Sequence, residues 1–174
     1  VMRAKSLIRL NEPLEAGRTL RNFISLYPSS SYMPDAEYTM GLVYLRIQRY
    51  DDAVQSFLAA WRSDAEVRRV AFEALDRLLG AYFTVDAIER LLPQAKSADE
   101  RAFYWLVMGE KDAEAGRAVA VGAALDTLYR NYPGTPFRER IALLRASLEQ
   151  RSNVKVGVLL PLLRASDPSA VKEL

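Results

Sequence analysis

The chain has 174 residues, half of them hydrophobic, which is enough for a folded domain with a continuous apolar core. Lys plus Arg number 24 against 22 Asp plus Glu, so a net charge of +2 gives no electrostatic reason to expect nucleic acid or an anionic membrane as partner. Histidine and cysteine are both absent, which excludes Ser-His-Asp and Cys-His nucleophiles and a zinc site of the usual nitrogen and sulfur ligands.

From the N-terminus, apolar residues recur at helical spacing, and the pattern predicts helices over 3–10, 12–27, 34–47, 51–62, 65–82, 84–95, 98–114, 117–131 and 136–150. The clearest unit opens at Pro34. One helix there presents Met40, Gly41 and Tyr44, and Tyr50-Asp51-Asp52-Ala53 opens a second that carries Phe57 and Ala60. Small residues let two helices approach closely while aromatics fill the gaps beside them. Stepping by 34 residues returns the same types: Ala53, Ala87, Val121 at the twentieth position, Phe57, Leu91, Leu125 at the twenty-fourth, and Met40, Ala74, Met108, Ala142 at the seventh. Trp105, Gly109 and Pro133 reinforce the unit that starts at Ala102.

Upstream, Ala16, Leu20, Phe23 and Pro28 fit the second half of an earlier unit, displaced by three extra residues in the Tyr27–Pro34 connection. That connection recurs as Tyr132-Pro133-Gly134-Thr135-Pro136-Phe137. The unit beginning at Arg68 is degenerate. Leu75 and Leu78 replace the small and aromatic residues, Gln94 replaces an alanine and Pro93 interrupts the second helix, for which Thr84 is the expected N-cap.

This spacing resembles the tetratricopeptide repeat over about residues 12–150. Gly41, Tyr44, Ala53, Phe57 and Ala60 stand where that family places its small and aromatic signature residues. The resemblance implies an all-α superhelix of antiparallel helical hairpins whose first helices line a concave docking surface. The wall positions would hold Asp35, Tyr38, Leu42, Arg46, Arg69, Phe72, Asp76, Phe103, Leu106 and Glu110. Phe72, Phe103 and Leu106 have packing between units as an equal alternative. Peptide-binding members of the family grip a terminal carboxylate with Lys, Asn and Arg. Tyr38, Thr39, Leu42, Glu73, Asp76, Val107 and Glu110 at the matching places here lack that chemistry.

After Arg151 the texture changes to Val154-Lys155-Val156-Gly157-Val158-Leu159-Leu160-Pro161-Leu162, a β-branched and leucine run of strand length, and Asp167-Pro168 then reads as a helix start. This stretch resembles the opening strand of the type I periplasmic binding fold, although Leu163-Arg164-Ala165-Ser166 lacks the glycine such loops offer a small ligand. The expected organisation is a repeat domain over 1–151 and the first strand and helix start of a second domain over 152–174. The tail is expected to be poorly ordered, to pack on the helices or to pair with another copy.

Together the two signals resemble bacterial envelope proteins, such as lipoprotein activators of penicillin-binding proteins and repeat-bearing relatives of amino acid binding proteins. That resemblance implies a periplasmic setting and an outer-membrane lipid anchor on sequence preceding Val1. The expected role is a non-catalytic module that docks a protein or peptide partner in the envelope and regulates peptidoglycan synthesis. The alternative is a spacer or oligomerisation element on a solute-binding protein for amino acid transport. No cofactor, metal, nucleic acid or membrane span is expected. Asp51-Asp52 and Asp99-Glu100 sit at helix starts, where carboxylates cap free N–H groups and meet the helix dipole, rather than forming an acid/base pair.

Overall fold

A computed structural model describes residues 1–63 and 66–150. Its helices are α1 (Met2–Arg9), α2 (Pro13–Leu26), α3 (Met33–Arg46), α4 (Tyr50–Trp61), α5 (Val67–Tyr82), α6 (Val85–Glu89), α7 (Ala98–Glu114), α8 (Ala118–Asn131) and α9 over 138–150, with a 3₁₀ turn at Leu92–Gln94. No strand occurs among the described residues. The predicted strand over 154–162 and the Asp167-Pro168 helix start lie outside them. The predicted helical domain divides into two compact units, one of Val1–Phe83 and one beginning at Thr84, so the division falls between α5 and α6.

The helix boundaries have local causes. Proline stands in the first turn of α2 and α3, where its missing N–H costs nothing. Ser97 caps α7 by accepting from the Glu100 N–H at 3.1 Å, and the buried Glu100 carboxylate reaches back to the Lys96 N–H at 2.8 Å. Thr84 caps α6 as expected, accepting from the Ala87 N–H. Asp52 instead pairs with Arg49, at 2.7 Å.

Three hairpins share one turn. A residue in the left-handed region follows the first helix: Asn11 at φ 61°, Gln48 at φ 60° and Gly116 at φ 72°. The next residue's N–H then donates to a carbonyl five residues back, Glu12 to Leu7, Arg49 to Tyr44 and Arg117 to Asp112, at 2.9, 2.9 and 2.8 Å. Gln48 and Gly116 are two 34-residue periods apart, and Asn11 precedes Gln48 by one period plus the three extra residues of the connection. The α1–α2 hairpin is thus a full repeat, with Ala4 in the small-residue place of Gly41 and fully buried. At the third of these turns the Arg117 guanidinium also clasps the buried Asp112 carboxylate, with Nε at 2.7 Å.

The small residues mark close crossings. A Cβ added to Gly41 would lie 2.6 Å from Phe57 Cδ1, inside the ring's contact distance, so α3 and α4 pack with backbone against ring. At Gly109 the same addition meets Leu144 Cδ2 at 2.9 Å and Ala124 Cβ at 3.2 Å. The twenty-fourth-position residues Phe57, Leu91 and Leu125, and Leu20 in the first hairpin, are all buried.

The degenerate unit departs from this pattern. Leu75 and Leu78 are buried where the other units have a small residue and a larger one, and Tyr82, in the place of Gln48 and Gly116, is still helical instead of left-handed, with Phe83 after it extended at φ −108° and ψ 140°. The helix predicted over 84–95 is replaced by five residues of α6 and the 3₁₀ turn. In a continuous α-helix Pro93 would have no N–H to give the Glu89 carbonyl and its ring would clash with that carbonyl, so the helix stops. In α9, Ala142 and Leu143 are exposed, whereas of their equivalents Met108 is buried and Gly109 lies under Ala124 of α8 and Leu144 of α9.

These contacts separate the glycines by sign. Gly41→Ala should lose about 1–3 kcal/mol to overpacking. Gly122→Ala, in α8 with nothing within 4 Å of the new Cβ, should gain up to about 1 kcal/mol from helix propensity. Gln48→Gly should gain about 1 kcal/mol by relieving the left-handed backbone. Urea denaturation of the three variants checks the ordering, and a neutral or stabilising Gly41→Ala would contradict the close crossing.

Candidate functional site

In the unit of Val1–Phe83, the first helices α1, α3 and α5 contact one another in sequence, and α2 and α4 pack against them from behind. A wall of three first helices follows directly from the hairpin repeat. Lys5 of α1 reaches across to Asp35 of α3, with Nζ 3.4 Å from Oδ1. Asp35, Tyr38, Leu42, Phe72 and Asp76 are half-buried, and Arg46 and Arg69 are exposed. Tyr38 leans its ring on Phe57 at 5.8 Å between centroids, and Phe72 leans on Trp61 at 5.2 Å. Arg69 pairs with Glu73 one turn along α5. The two aromatics thus rest on core rings and are themselves only half-buried, the arrangement in which a ring packs a hairpin and still presents some apolar surface.

The remaining predicted positions lie in the unit that begins at Thr84, and there the expectation needs correction. Phe103 and Leu106 are fully buried and line no surface. Phe137, from the connection before α9, places its ring 5.7 Å from that of Phe103, so both residues are core. Glu110 is half-buried and holds Arg140 of α9 by two hydrogen bonds, Nε to Oε1 at 3.0 Å and Nη2 to Oε2 at 2.6 Å. This is a fork-on-fork pair that fixes α9 on α7.

The terminal-carboxylate grip is missing for the stated chemical reason and for a structural one. Thr39 is buried with its hydroxyl donating to the Asp35 carbonyl at 2.6 Å, and Val107 is buried in α7. Among the described residues no group of three or more acidic side chains is placed to hold a metal ion, and no helix is long and apolar enough to cross a membrane. Burial pushes the Glu37 carboxyl above its ordinary pKa, with a hydrogen bond from Ser56 of α4 partly opposing the shift.

The wall has members that the sequence pattern missed. Ile8 and Arg9 on α1 occupy the places of Leu45 and Arg46 on α3 once the three extra residues are allowed for. The available signal was Ala4 and Leu7 ahead of the Ala16 and Leu20 pair.

Residues 1–30, the α1–α2 hairpin, match the tetratricopeptide repeat family. No curated protein and no solved structure matches the chain. With the shared turns and close crossings, the match gives the chain an all-α, tetratricopeptide-like fold.

Two measurements test the electrostatics. A double-mutant cycle on Glu110 and Arg140 should give a coupling of about 1 kcal/mol, whereas the exposed pair of Arg18 and Glu15 should give close to zero. Because the folded pKa of Glu37 is raised, its contribution is favourable at low pH and is lost as pH rises through that pKa. Glu37→Gln should therefore raise Tm at pH 7 and give no such gain below about pH 4, where the carboxyl is protonated in both states. An equal effect at both pH values would refute the burial argument.

Proposed function

We propose that this chain is a non-catalytic docking module whose α1–α3–α5 wall receives an extended peptide or a helix of a protein partner. Tetratricopeptide repeats generally mediate protein–protein interaction, and residues 1–30 match that family. The observation that carries the reading is the half-buried state of Tyr38, Leu42 and Phe72 on adjacent first helices, which offers apolar surface to a partner without exposing whole side chains to water. An envelope setting, with regulation of peptidoglycan synthesis as its process, is supported by the sequence resemblance of 154–162 alone.

Selection of a random displayed-peptide library on the chain tests the docking reading. Peptides enriched on the native protein should bind Leu42→Arg at least about tenfold more weakly, the loss expected when a charge enters an apolar contact. They should bind Leu14→Arg unchanged, because Leu14 is an exposed residue of α2 on the other side of the hairpin. Enrichment that Leu14→Arg abolishes and Leu42→Arg leaves intact would reject the wall as the site.

A further inference from the structure

The eighth residue of each repeat lies where the first helix meets the second, and in α1, α3, α5 and α7 it is buried: Ala4, Gly41, Leu75 and Gly109. In α9 the same place is held by Leu143, which is 70% exposed. Ala142 and Ala146 beside it are exposed too, whereas Met108 and Asp112, one period earlier, are buried. In other respects α9 is seated as a first helix. Ile141 and Leu144 are buried, Phe137 rests on Phe103, and Arg140 is held by Glu110 of α7. The described residues leave open the face of α9 that α4 covers on α3 and α8 covers on α7.

The chain itself supplies a second half for this hairpin. Residues 151–174 follow α9 directly, and the 34-residue period carries on into them. Phe57, Leu91 and Leu125, the buried residues of the twenty-fourth position, are followed one period later by Leu159. Ala124 and Leu128 of α8 are followed by Val158 and Leu162. The same steps carry the two close crossings onto α9. Gly41 against Phe57 becomes Leu143 against Leu159 after three periods, and Gly109 against Ala124 becomes Leu143 against Val158 after one. Lys155, one period after buried Val121, is the polar exception, and a lysine can lay its aliphatic stem on apolar surface with the ammonium in water.

We propose that residues 155–162 of this chain lie on the open face of α9, with Val158 and Leu159 against Ala142 and Leu143, and complete a last hairpin. This assigns the apolar run to the repeat array in place of the strand of a following domain. It also makes the open face of α9 an internal contact of the chain, separate from the α1–α3–α5 wall.

Because the chain has no cysteine, single cysteines introduced into the full chain report on this contact. Leu143→Cys should react with a maleimide at least about tenfold more slowly than Val119→Cys, whose position on α8 is 90% exposed, each rate being normalised to that of the same variant in urea. Dilution should leave the ratio unchanged. Adding Leu159→Glu to Leu143→Cys should raise its rate to that of Val119→Cys, and circular dichroism checks that the variants remain helical. Equal rates at the two positions overturn the proposal, and so does slow reaction that Leu159→Glu leaves unaltered. Slow reaction that speeds up on dilution overturns it in favour of a second copy of the chain as the occupant.

Discussion

The meeting of the Gly41 backbone with the Phe57 ring is the contact on which the rest of this structure depends. A side chain on Gly41 would hold α4 off α3 by at least a methyl group. That separation would open a gap around Tyr38, whose ring rests on the same Phe57. The tight crossing also requires a short turn, and the left-handed Gln48 supplies it by reversing the chain within three residues of the end of α3. Crossing and turn recur together at Gly109 and Gly116, where Leu144 and Ala124 take the place of the ring. The first hairpin uses Ala4 and Asn11 for the same purpose.

Because the close contact lies between first and second helices, the opposite side of each first helix is left for its neighbours and for solvent. This is how a packing constraint becomes a candidate binding wall in the Val1–Phe83 unit. Tyr38 and Phe72 belong to both, each resting on Phe57 or Trp61 while only half-buried. Function and stability are therefore coupled at these two rings, and truncating either would disturb the hairpin as well as the surface. Leu42 and Arg46 carry less of that burden and report on the surface more cleanly.

Much of this was legible in the sequence because helical repeats write their geometry at fixed offsets. Helix order and the boundaries near Arg46, Tyr82, Glu114 and Asn131 follow from apolar spacing and capping residues, and the weakness of the Arg68 unit follows from Leu75, Leu78 and Pro93. The first hairpin was half-hidden, since three extra residues shift its frame and Ala4 and Leu7 are unremarkable outside it. The wall was less legible than the fold. Offsets place Phe103 and Leu106 on the same stripe as Phe72, but only the three-dimensional course of the chain brings Phe137 over Phe103 and buries both. Ion pairing between helices, as in Glu110 with Arg140 and Lys5 with Asp35, is likewise a matter of tertiary reach rather than of spacing.

The central claim, that the first-helix wall of the Val1–Phe83 unit is the docking surface, is tested most directly by methyl-labelled NMR during titration with a library-selected peptide. The account predicts saturable shifts at the methyls of Ile8, Leu42 and Leu45, with those of Leu14 and Leu26 on α2 unmoved. Shifts confined to Leu14 and Leu26, or to methyls of the unit beginning at Thr84, would contradict it.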